Sequence, residues 1–122
     1  MLREKTFRPL PDFLTISKSK IDGLGVFAIK DIPSGIDLGV SHIYDEDFQD
    51  NYIRTPLGGF INHHEIPNSK ADFFKHHPEL GDRKHIRIKT VKPIKKGEEI
   101  TIKYIINQLK NPCWEVEYEA SQ

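Results

Sequence analysis

A second cysteine is missing. Cys113 stands alone in 122 residues, so the chain can form neither an intrachain disulfide nor a cysteine-rich zinc site. A lone thiol fits a reducing compartment. An excess of either charge is missing as well. Lys plus Arg number 18 and Asp plus Glu number 18, for a formal net charge of zero. That balance argues against a basic nucleic-acid footprint and against direct nucleic-acid binding, although Lys84 to Lys96 is locally basic. No apolar run approaches membrane-spanning length. The opening residues, Met1 to Pro11, are charged and proline-containing and hold no apolar signal-peptide core. The expectation is a soluble, intracellular protein with no membrane partner. Internal repeats, low-complexity tracts and linkers are also lacking, and the length suits one domain.

What is present is a series of short β-prone segments between turns. Phe13 to Ser17, Val26 to Ile29, Ile36 to Ile43 and Ala71 to Phe74 read as strands, the third weakened by Gly39. The clearest pattern is the alternation of His85 to Val91, followed by a second alternation in Ile100 to Tyr104. Cys113 to Tyr118 reads as a further short strand. Asp22-Gly23, Pro33-Ser34-Gly35 and Lys96-Gly97 are turns. Asp45 to Ile53 has a helical or irregular reading, with Asp45 a candidate N-cap and Thr55-Pro56 closing it. Together these predict a mainly β domain with little helix.

One stretch is hard to explain by packing alone. Gly58 to Asn68 joins two glycines and an apolar pair, Phe60-Ile61, to Asn62, His63 and His64. Phe60 and Ile61 call for burial, and the polar groups beside them need partners if buried. This is how a polar ligand pocket is written in sequence. His63, His64, His76, His77 and His85, with Glu65 and Glu79, raise a zinc reading. Adjacent histidines rarely point into one site and no His-x-x-x-His spacing occurs, so no metal site is assigned.

Three pieces stand in order. They are Gly23-Leu24-Gly25-Val26-Phe27-Ala28, then Phe60-Ile61-Asn62-His63 with Pro67-Asn68, then Gly97-Glu98-Glu99-Ile100-Thr101-Ile102-Lys103-Tyr104. Together they resemble the SET domain family of S-adenosylmethionine-dependent protein lysine methyltransferases, over roughly Phe13 to Tyr104. The resemblance implies a β-clip type SET fold, several small sheets around a pseudoknot, with the Asn62-His63 segment passing through a loop of neighbouring chain. It implies an N-terminal arm over residues 1–12, a SET domain over 13–106, and a C-terminal segment over 107–122 packing on that core.

The implied cofactor is S-adenosyl-L-methionine. Backbone groups of Gly23, Leu24 and Gly25 would hold its amino-acid end. The Asn62 side chain would meet the amine, and the backbone at His63 the adenine. Tyr104 matches the catalytic tyrosine. Tyr52, its rival Tyr44, and Trp114 are candidates for the lysine channel. The implied partner is a protein carrying the target lysine, histone among the candidates. The pattern also departs from the family. His64 replaces a serine, Gly59 replaces an arginine or similar residue, and no cysteine-rich segment follows. The insert between about Ser41 and Pro56 is short, which implies either an open groove or help from a second subunit in a homodimer. Small SET proteins of viruses and bacteria are the nearest in kind. A catalytically weak or inactive SET-like module that binds a protein or cofactor is the alternative.

Overall fold

The computed structural model describes residues 10–48, 51–76 and 81–103. The strands among them are β1 (Leu14–Lys18), β2 (Leu24–Ala28), β3 (Asp37–Tyr44), β4 (Tyr52–Arg54), β5 (Asn62–His63), β6 (Ser69–Phe74), β7 (His85–Thr90) and β8 (Glu99–Ile102). One short helix, α1 (Pro56–Phe60), lies between β4 and β5. They form two four-stranded sheets, ordered β1-β2-β8-β5 and β4-β3-β7-β6. Every pairing is antiparallel except that of β5 with β8, which is parallel.

Local chemistry accounts for most of this. Gly23 takes a left-handed φ of 48°, which closes the chain between β1 and β2 at little steric cost. Leu14 then faces Ala28 and Lys18 faces Leu24. In β7, Ile86, Ile88 and Thr90 turn inward while Lys89 faces solvent. Arg87 stays half-buried and its Nε donates to Asp37 Oδ2 at 2.7 Å. The main core gathers Leu14, Val26, Leu38, Leu57, Ile61, Ile88, Ile94, Ile100 and Ile102 from both sheets. Each fully buried aliphatic side chain of this kind contributes about 1.5–3 kcal/mol. Leu10 packs against the same core. A smaller cluster of Tyr52, Phe73 and Ile86, with Tyr44 against it, lies on the second sheet.

Among the described residues of the stretch from Asp45 to Ile53, none is helical. Asp45 Oδ1 accepts from Asp47 N at 2.9 Å, and Asp45 N donates to Asn51 O at 2.9 Å. Asn51 takes a φ of 66°, and the chain returns as β4 with Tyr44 opposite Tyr52. The reason is the partner strand. Tyr52 is buried edge-on to Tyr44, with ring centroids 5.8 Å apart, whereas a helical face would have turned the exposed Phe48 inward. Thr55-Pro56 does not close a helix but opens one. The Thr55 side chain accepts from Gly58 N and Pro56 begins α1, as N-cap and first-turn preferences dictate.

His42 on β3 is 8% exposed. Ser41 Oγ donates to Ile86 O at 3.2 Å and lies 2.9 Å from His42 Nδ1. Burial, and secondarily the positive Arg54, push the His42 pKa from 6.5 down to about 4. Between these values the unfolded chain binds a proton that the folded one refuses. Stability is therefore complete above about pH 6.5 and falls as the pH drops towards 4, by on the order of 3 kcal/mol. Urea unfolding from pH 4 to 7 should show this slope in the wild type and lose most of it in His42→Gln. An unchanged slope would assign the acid sensitivity elsewhere.

Candidate functional site

The turn between β1 and β2, the short strand β5 and the start of β8 meet at one place. β5 is only two residues long, with Asn62 paired to Thr101 and His63 to Ile102. His64 N extends the ladder to Ile102 O at 3.0 Å. So short a pairing needs reinforcement, and Asn68 supplies it. Its Nδ2 donates to Glu99 O at 2.8 Å, and its Oδ1 accepts from Thr101 N at 2.9 Å. The loop from His64 to Asn68 is thereby fixed to β8 at both ends.

Asn62 is the centre of the arrangement. Its Nδ2 lies 2.8 Å from Glu99 Oε2, 3.1 Å from Leu24 O, 3.1 Å from Ser19 Oγ and 3.3 Å from Asp22 O. Two amide hydrogens are shared among four oxygens. Oδ1 has no partner among the described residues. Ser19 Oγ donates to the Glu99 carboxylate, 2.8 Å from Oε1 and 2.9 Å from Oε2, and accepts from Ile21 N at 2.9 Å. Gly25 is buried against the same carboxylate. A Cβ built there would overlap Glu99 Oε2 and sit 3.1 Å from Asn62 Nδ2.

His63 pairs with β8 through its backbone. Its Nε2 lies 3.0 Å from Glu65 Oε2, on the solvent side, and Lys103 Nζ is 3.7 Å from the same carboxylate. The His63 hydrogen bond first, and the Lys103 charge second, hold the Glu65 carboxyl below its ordinary pKa.

The structure thus brings Gly23, Leu24, Gly25 and Asn62 together, with the His63 backbone beside them. Tyr52 and Tyr44 are in the second cluster with Phe73 and Ile86. Tyr104 and Trp114 lie outside the described residues; β8 ends at Ile102, two positions before Tyr104 in the chain. Phe60 is not buried: it is 38% exposed, and Ile61 alone enters the core. α1 turns Leu57 inward and the chain leaves the helix at Ile61, so Ile61 rather than Phe60 follows Leu57. Gly59 is exposed, with open space where a side chain would go. His64 is exposed as well, its Nδ1 accepting from Ile66 N at 3.0 Å.

Sequence reasoning gave no role to Ser19, Glu99 or Asn68. Glu99 and Asn68 were in view as motif letters, but letters do not say what a side chain touches. Ser19 stands shortly before the Asp22-Gly23 turn and carries no motif signal of its own.

Comparison with known proteins adds independent findings. A family model of the SET domain matches residues 37–105. No curated protein matches this chain in sequence. Among solved structures, the crystal structure of a candidate histone methyltransferase from Plasmodium falciparum is similar with a TM-score of 0.61 at 23% identity. The match covers 75% of this chain and 96% of that one. Polycomb Repressive Complex 2 of Chaetomium thermophilum, bound to S-adenosylmethionine in an autoinhibited conformation, gives a TM-score of 0.60 at 20% identity. There the match covers 77% of this chain but 15% of the much longer one. At such identities the likeness is one of fold.

Proposed function

The chain belongs to the SET domain family, and from that premise we propose that it is an S-adenosylmethionine-dependent methyltransferase acting on the side-chain amine of lysine in a protein substrate. One observation carries the reading. The Asn62 amide gives its hydrogens to Glu99, Ser19 and the β1–β2 turn and leaves Oδ1 without a partner among the described residues, next to the turn where Gly23 and Gly25 carry no side chains. A bare acceptor beside the exposed backbone of Gly23 and Leu24 fits an ammonium-bearing amino-acid end, the part of the cofactor assigned to these residues. When bound, the cofactor supplies a methyl group carried on a sulfonium.

What the chain must do is position. Backbone at Gly23, Leu24 and Gly25 and the Oδ1 of Asn62 hold one end, and the His63 backbone borders the other. The substrate amine has to be neutral and in line with the bond that breaks. A lysine with a reference pKa of ~10.4 loses its proton more readily in a dry channel beside a positive charge. Tyr104 is the proposed orienting hydroxyl for that amine. It is not assigned as a general base, since a phenol of pKa about 10 is protonated at neutral pH.

Two measurements test this. Calorimetry should detect S-adenosylhomocysteine binding, and radiolabelled methyl transfer onto histones and whole-cell lysates should label a protein. Tyr104→Phe should lower turnover at least about tenfold through loss of alignment, with cofactor affinity nearly unchanged. Full activity of that variant would remove Tyr104 from its role. An absence of cofactor binding would leave only a SET-like binding module.

A further inference from the structure

We propose that Glu99 and Ser19 are positioning residues that fix which end of the Asn62 amide faces the ligand, and that they thereby make the site selective for a cationic amine. The inference rests on the cofactor reading above and deepens it.

A primary amide is nearly symmetric in shape, so its own packing does not choose between Nδ2 and Oδ1. The neighbours choose. Leu24 O and Asp22 O can only accept hydrogen bonds. A carboxylate also only accepts, and Glu99 Oε2 is the nearest of the four oxygens at 2.8 Å. Ser19 could act either way, but its one hydrogen lies against Glu99. Towards Asn62, at 3.1 Å, it therefore presents a lone pair. All four neighbours demand an NH2 group. A flipped amide would set Oδ1 against four oxygens and lose the charge-assisted bond, which is the strongest of the set. Nδ2 is thus locked inward and Oδ1 outward, as an acceptor.

Glu99 does more than lock. Among the described residues its carboxylate contacts only the neutral donors of Ser19 and Asn62. Its charge is left to favour a cation at the outward Oδ1. An ammonium is the complement of both features. A ligand with the same body and no amine would forgo the advantage.

Glu99→Gln brings an amide of its own, so a flipped Asn62 gains a donor to face. Ser19→Ala frees Glu99 from its second anchor. Titration calorimetry on the full chain should compare S-adenosylhomocysteine with the analogue in which hydrogen replaces the α-amino group. The wild type should prefer the amine roughly tenfold to a hundredfold. In Glu99→Gln and Ser19→Ala the preference should fall to within about threefold, through loss of the amine ligand alone. Ser19→Thr, which keeps the hydroxyl, should restore it.

A merely structural role would weaken both ligands in parallel, and that result would overturn the proposal. So would an undiminished preference in folded Glu99→Gln and Ser19→Ala, or a wild type that does not discriminate. Melting curves identify a variant that fails to fold, and Ser19→Ala carries the test if Glu99→Gln does. A wild type that binds no S-adenosylhomocysteine overturns the cofactor reading and this inference with it. Normal wild-type binding with an unaltered preference in the variants overturns this inference alone.

Discussion

Gly58→Ala should destabilise the protein by on the order of 4 kcal/mol and lower its melting temperature by roughly 10 to 20 °C. α1 lies directly on β3 here. A Cβ at Gly58 would overlap the backbone carbonyl of Ser41. That carbonyl cannot move aside, because it accepts from Thr55 N at 3.0 Å and belongs to a strand paired on both sides. The helix would have to lift instead. Lifting it draws Leu57 out of the core and strains the Thr55 cap, whose hydroxyl also donates to Val40 O at 2.7 Å. Overpacking costs about 1–3 kcal/mol, and a lost cap adds about 1. Gly59→Ala is the control. It has open space around it and should be neutral or slightly stabilising, since alanine favours helix over glycine. Equal melting temperatures for the two variants would show that the close approach at Ser41 carries no energy.

Gly25→Ala should have the opposite signature, with the fold kept and the cofactor lost. The overlap is again severe, but the atoms met belong to the end of the Glu99 side chain. A carboxylate on a flexible stem can give way, so the stability cost should stay near 1–2 kcal/mol. In giving way it abandons Ser19 and Asn62, the contacts that hold the Asn62 amide in place. Affinity for S-adenosylhomocysteine should fall on the order of a hundredfold, as expected when a well-placed charged hydrogen bond is lost. Calorimetry and a melting curve on the same sample separate the two effects. A Gly25→Ala protein that binds normally would move the cofactor away from this turn.

These two glycines show where sequence could and could not be read. Both were visible as glycines, and the Gly23-Leu24-Gly25 turn was placed at the cofactor by resemblance. That one lies on a backbone carbonyl and the other on a carboxylate is a tertiary fact with no local trace. The β class was legible because His85 to Thr90 alternates over a half-covered sheet. The β3–β4 hairpin was not, because Phe48, Tyr52 and Ile53 imitate one turn of helix and the pairing of Tyr52 with Tyr44 carries no local signal. Thr55-Pro56 was read as an ending when the same two residues make a good beginning. β5 is too short for any period to show. Glu99 and Ser19 lie 80 residues apart in the chain, beyond the reach of any window. The orienting role proposed for Tyr104 and the channel role expected of Trp114 belong to residues beyond those described.

The parallel seam between β5 and β8 also sets a timetable. Asn62 meets its closest partner 37 residues further along the chain, while β1 and β2 close on each other across one short turn. Loop closure delays distant contacts relative to local ones. On a ribosome, both halves of the β1–β2 hairpin and the Asn62 segment emerge well before Glu99. Until then the amide has no carboxylate to hold it and the centre of the first sheet is empty. The site is therefore among the last parts of the molecule to become competent, and a ligand captured there certifies a finished fold. Binding at so late a joint would stabilise the whole domain rather than one loop.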